Sequence, residues 1–125
     1  MLDPAMPRPT HGAGELGVSF ARPDARHAVL VIEGEIDTLT AGALERALTE
    51  LLAEPSDVLV VDLSAVTFLA SSGLAVLIRA AHEAGERRLR LVSSARAVRR
   101  PMEITGSDQL FDLYPDRTAA LSPEE

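Results

Sequence analysis

The chain has 125 residues and a mass of 13.3 kDa, which supplies one buried core and leaves no room for a second domain. Apolar residues make up 46% and charged residues 25%, the balance of a soluble globular protein rather than a fibrous or wholly disordered one. With no lysine, no cysteine, four aromatics (Phe20, Phe68, Phe111, Tyr114) and a net charge of -7, the composition excludes a Walker phosphate loop, a Schiff-base lysine, disulfides, thiolate metal sites and a base-stacking surface, and it repels nucleic acid and anionic membranes.

Residues 1–14 carry Pro4, Pro7 and Pro9 and no apolar stretch, so they read as a disordered leader rather than a secretory signal. A cytoplasmic protein is expected. Leu16, Val18 and Phe20 alternate with Gly17 and Ser19, the pattern of a short edge strand with one face buried. After a turn at Pro23-Asp24, the apolar run Ala28 to Ile32 reads as a strand covered on both faces, forming a hairpin with the first. Leu44, Ala47, Leu48, Leu51 and Leu52 then fall on one helical stripe. Thr40 or Asp37 is placed to cap that helix, and Pro55 ends it.

Val58 to Leu63 is a further apolar strand, joined to the preceding one by a helix and therefore parallel to it. A loop is expected after Leu63, then a helix from about Gly73 to Ala84 with Leu74, Leu77, Ile78 and Ala81 inward and Gly85 closing it. The longest uncharged run, Leu63 to Ile78, has 16 residues and contains three serines, a threonine and a glycine, too short and too polar to cross a bilayer. Leu89, Leu91 and Val92 give the next strand. Residues 95 to 105 read as a helix that Pro101 should kink, residues 110 to 114 as a short last strand, and the end as a weakly helical tail. Alternating strands and helices give an α/β domain. The sheet is a single mixed layer of four to five strands, mainly parallel after the N-terminal hairpin, packed with three to four helices.

Nothing in the chain builds a catalytic constellation. His11, His27 and His82 lack metal-ligand spacing. A triad of Ser72, His82 and Asp62 would put serine and histidine about 15 Å apart along one helix at 1.5 Å per residue. Glu33 and Glu35 read as a solvated rim. No cofactor and no metal are expected. The informative stretch is Val61 to Leu74, where Ser71, Ser72 and Gly73 open a helix. Either serine there is a plain N-cap, or a hydroxyl is displayed where free N–H groups and the helix dipole welcome a phosphate.

The run Asp62-Leu63-Ser64-x-Val66-x-Phe68-Leu69-x-Ser71-Ser72-Gly73-Leu74 resembles the signature of STAS domains of the anti-sigma factor antagonist family. Gly34-Glu35-Ile36-Asp37-x-x-Thr40-Ala41 resembles that family's other recurrent segment, and Ala95-x-x-Val98 through Ile104-Thr105-Gly106 its third helix and following turn. The resemblance spans about residues 16 to 121, which gives a STAS-like domain over 15–121 and a tail over 122–125.

The resemblance implies a regulatory binding module, not an enzyme. Its partner would be an anti-sigma factor that is also a serine kinase of the GHKL type, whose capture frees a sigma factor for transcription. Phosphorylation of one serine of the Ser-Ser-Gly motif would break the association and a phosphatase would restore it. Matched directly before Gly73, that serine is Ser72, with Asp37, Thr40, Ser71, Gly73 and Leu74 completing the partner surface. The family typically has aspartate before the two serines, and this chain has Ala70. A STAS scaffold that is never phosphorylated is the alternative. Separately, residues 87–100 hold six arginines and no carboxylate, against -13 for the rest; these are either helix-end and surface charges or a docking patch.

Overall fold

The computed structural model describes residues 15–122, so the expected leader and the last three residues of the tail lie outside it. Five strands form one sheet in the order of the chain: β1 (Gly17–Ala21), β2 (His27–Ile36), β3 (Val58–Leu69), β4 (Leu89–Val92) and β5 (Asp112–Tyr114). β1 pairs antiparallel with β2, and every later pair is parallel. The crossovers are α1 (Ala41–Leu52), α2 (Ser71–Ala84) and α3 (Arg96–Thr105), and α4 (Arg117–Leu121) follows the last strand. The expected fold class is the one observed.

Period-two alternation sorts the strands' apolar residues onto two faces. Leu30, Ile32, Leu59, Val61, Leu63, Leu89 and Leu91 meet Leu44, Leu48, Leu74, Leu77, Val98 and Met102 from α1, α2 and α3 in the main core. Val29, Val58, Val60 and Val92 form a smaller core under Ala120 of α4. The strand runs lack a polar face because both faces are covered.

Several expectations need correction. Val18 and Phe20 on β1 are 40% and 41% exposed; at the sheet edge only Leu16 and Ala21 pack against the cores. The strand expected to stop at Leu63 runs on to Leu69. Two register shifts against β2, at Val31/Glu33 and Gly34/Glu35, insert extra residues into β3. The inward residues there become Leu63, Val66 and Leu69, three apart, and bulges of this kind hide a strand from a period-two reading. In α2, Val76, Ala80 and Ala84 join Leu74 and Leu77 inside, while Ile78 and Ala81 pack half-buried against the main core. The helix expected over residues 95 to 105 is the observed α3, with Pro101 inside it.

Asp62 faces the smaller core with its side chain only 3% exposed. Its carboxylate accepts from the Ser64 N–H and hydroxyl and from Arg117 Nε at 2.8 Å, which ties α4 to β3. Burial alone would push this carboxyl up, but the Ser64 and Arg117 hydrogen bonds and the arginine charge outweigh it and hold it below the usual range. A depressed folded-state pKa stabilises the fold above the unfolded value of about 3.9, and that stability is lost as pH falls through the folded value. Between about pH 5 and pH 2, the melting temperature of the unmodified protein should therefore fall more steeply than that of Asp62→Asn. Parallel melting curves by circular dichroism would remove Asp62 from the acid transition.

Candidate functional site

The two sequence segments singled out meet at the C-terminal ends of the parallel strands, where open α/β sheets present their binding surfaces. Ile36 and Leu69, the last residues of β2 and β3, are register partners. The Ala70 N–H then donates to the Ile36 carbonyl at 2.8 Å, so the chain leaving β2 toward α1 lies beside the chain entering α2.

Asp37 organises the first of these turns. Its Oδ1 accepts from the N–H groups of Leu39 and Thr40 at 3.0 and 3.1 Å. The Thr40 hydroxyl, buried, accepts from the Asp37 N–H at 2.8 Å and donates to the Glu35 carbonyl at 2.9 Å. Thr40 does occupy the N-cap position of α1, yet its side chain is turned back into the loop and makes no cap bond. The expected cap is thus replaced by a closed turn that leaves Leu39 71% exposed at its tip.

Neither serine caps α2. Ala70 holds the N-cap position with an extended backbone and no side-chain bond, and Ser71 and Ser72 are the first two helical residues. A helix turns about 100° per residue, so neighbouring serines face different surroundings. Ser71 is exposed. The Ser72 hydroxyl oxygen is buried and, among the described residues, has no hydrogen-bond partner, which costs about 1–3 kcal/mol relative to a satisfied group. Gly73 is buried because the helix crosses β2 closely: a Cβ at this position would lie 2.1 Å from Ile36 Cγ2 and 3.1 Å from Leu69 Cδ1.

Leu74, only 5% exposed, is shared between the core and the floor of an open groove of about 600 Å³ between α2 and α3. Ser71 stands on one wall of that groove, and Arg96, Ala97, Arg100, Pro101 and Ile104 of α3 form the other side. Of the expected partner surface, Ser71 is exposed and Asp37 half-buried; Thr40, Gly73 and Leu74 are inside and shape the site from below. Sequence reasoning missed Leu39, Phe68 and Ile104, exposed at 71%, 48% and 69%. Their only signal is an apolar residue off the core stripe of its own element.

No catalytic or metal arrangement appears among the described residues. Asp62 is committed to Ser64 and Arg117, His82 is exposed, and no group of three potential metal ligands comes together. No described helix is long and apolar enough to cross a membrane. The basic stretch separates into two kinds of residue. Arg87 donates to the carbonyls of Leu52, Glu54 and Ser56 at the end of α1. Arg88 binds Asp112 and the Gln109 and Phe111 carbonyls, Arg90 is buried against the Ala120 carbonyl and the Tyr114 ring, and Arg99 holds the Ser93 carbonyl. Arg96 and Arg100 remain exposed on the groove.

Comparison with known proteins agrees with this geometry. The STAS domain family model matches residues 21–120. The anti-sigma-F factor antagonist RsfB of Mycobacterium tuberculosis is 42% identical over 96 residues, covering 76% of this chain and 79% of that protein. The crystal structure of an anti-sigma factor antagonist from Mycobacterium paratuberculosis superposes with a TM-score of 0.82 at 36% identity, over 90% of this chain and 96% of that one. SpoIIAA of Bacillus in its phosphorylated form shares the fold at 13% identity, with a TM-score of 0.61 over 82% of this chain and 96% of that one. A sheet of this order, the Ser-Ser-Gly start of α2 and these matches together place the chain in the STAS domain family.

Proposed function

We propose that this chain is an anti-sigma factor antagonist that works by binding, in the cytoplasm, with no chemistry or cofactor of its own. Its partner is an anti-sigma factor that is also a GHKL-type serine kinase, met through the Asp37 loop and the start of α2, and its capture frees a sigma factor. The observation that carries this reading is the juxtaposition of an exposed serine at the α2 N-terminus with the Asp37 turn, in a chain 42% identical to an anti-sigma-F factor antagonist.

The switch is phosphorylation within the Ser71-Ser72 pair, reversed by a phosphatase. The sequence match alone assigns the phosphate to Ser72. Burial of the Ser72 oxygen supports Ser71 as the phosphoacceptor instead, since a kinase reaches its exposed side chain without opening the helix. In that transfer the Ser71 oxygen bonds to the γ-phosphorus of ATP as the bridging bond to ADP breaks, and the hydroxyl proton leaves to the kinase or to water. Ala70, in place of the family's usual aspartate, supplies neither a carboxylate near the hydroxyl nor a cap for α2.

Incubation with the host's kinase-type anti-sigma factors and Mg-ATP, followed by mass spectrometry, tests both points. One phosphate is expected, retained in Ser72→Ala and lost in Ser71→Ala. Retention in Ser71→Ala with loss in Ser72→Ala would return the site to Ser72. No phosphate with a partner that binds tightly would leave the STAS scaffold reading, which Ala70 favours.

A further inference from the structure

Arg96 and Arg100 lie one turn apart on α3, both exposed, and among the described residues neither has an ion-pair or hydrogen-bond partner. Among the described residues they are the only charged side chains lining the groove that Ser71 enters from the opposite wall, and its remaining surface, Leu74, Ala97, Pro101 and Ile104, is mostly apolar. Two guanidinium groups that line the same mostly apolar groove as a hydroxyl make a receptor for an anion attached to that hydroxyl.

We propose that Arg96 and Arg100 form an intramolecular clamp for the phosphoryl group on Ser71. This rests on the reading of Ser71 as the phosphoacceptor. The phosphate carries about -1.5 to -2 charges and three acceptor oxygens, and the planar guanidinium fork matches it with paired, charge-assisted hydrogen bonds. The free N–H groups at the start of α2, where Ser71 sits, add a partial positive charge. Closing the clamp bridges α2 to α3 and fills the groove. Modification therefore removes two free arginines and an apolar cleft from the binding surface as well as adding charge. The family motif at the start of α2 contains none of this, because the receptor is supplied by the next helix.

The test installs phosphoserine at position 71 during translation, so that it does not depend on any kinase. The second ionisation of the phosphate, near pH 6 when unperturbed, is followed by phosphorus NMR. In the otherwise unmodified chain its midpoint should lie lower than in Arg96→Gln/Arg100→Gln by about half a pH unit or more, roughly a threefold change in proton affinity. The nearby carboxylates, Asp37 on the loop and Glu103 on α3, act in the opposite direction, so a lowered midpoint reports the arginines. Arg79→Gln removes one positive charge, as either single variant Arg96→Gln or Arg100→Gln does, from an exposed site farther along α2 where Arg79 pairs with Glu45, and should leave the midpoint in place. The Nε–H resonances of Arg96 and Arg100 should shift on phosphorylation. Equal midpoints with and without the two arginines, or an equal change in Arg79→Gln, would overturn the clamp. A kinase that ignores Ser71 would fail the earlier assay and leave this one unaffected, so the two readings fail separately.

Discussion

Gly73→Ala is expected to be the most destabilising single-methyl change at the site. Alanine is the better helix former by up to about 1 kcal/mol, and at an exposed helical position the change would stabilise. Here the new methyl would sit 2.1 Å from Ile36 Cγ2 and 3.3 Å from Ile36 Cβ. Ile36 is fully buried at the end of β2, so it has nowhere to go. Overpacking of this kind costs about 1–3 kcal/mol and occasionally more, so the clash outweighs the propensity gain. The structure relieves it by pushing α2 off the sheet, which displaces Ser71 and loosens the bond from the Ala70 N–H to the Ile36 carbonyl. Urea or thermal unfolding reads the loss. Ile36→Ala removes the clashing methyl at its own cost of about 2–5 kcal/mol, and the double variant should be more stable than the sum of the two single losses predicts. A Gly73→Ala protein as stable as its parent would mean that α2 does not approach β2 this closely.

The second large effect is on binding. Phosphate on Ser71 should weaken association with the anti-sigma partner by about a hundredfold or more, which is roughly 2.7 kcal/mol. An exposed serine at a helix start is easily covered by a partner, because its hydroxyl is small and neutral. A phosphate there has to be desolvated, at several kcal/mol per ion where no new partner is gained, and any like charge about 4 Å away adds between roughly 1 and 4 kcal/mol depending on the local dielectric. The fold itself should survive, since the α2 N-terminus tolerates negative charge, and the circular dichroism of the phosphoprotein should match that of the unmodified chain. Ser71→Asp should reproduce part of the loss, and Ser71→Ala should bind constitutively.

Parts of this structure are legible in the sequence because they depend on local periodicity. The strands around Val29, Val60 and Leu91 announce themselves as apolar runs, and α1 as a stripe from Leu44 to Leu51. The second half of β3 does not, because bulges set Leu63, Val66 and Leu69 three apart. The segments of the site are visible as motifs, but the division of labour within them is set by tertiary placement. Ser71 and Ser72 are the same residue type side by side, and only the helix phase against the core separates an exposed hydroxyl from a buried one. The arginines of the 87–100 stretch look alike for a similar reason. What distinguishes Arg87 from Arg96 is that Arg87 meets carbonyl oxygens at the end of α1, more than thirty residues away, and carbonyls leave no mark in a sequence. The role of Asp62 in holding α4 does not show in the sequence, because its partner Arg117 lies 55 residues on.

The most direct test of the central claim is a calorimetric titration of the purified kinase-type anti-sigma factor with two forms of this protein, unmodified and carrying phosphoserine at position 71. The account predicts a saturable one-site isotherm for the unmodified form, displacement of the sigma factor when it is already bound, and a dissociation constant about a hundredfold larger for the phosphorylated form, roughly 2.7 kcal/mol. Equal dissociation constants for the two forms, or binding of the unmodified form that leaves the sigma factor in place, would contradict it.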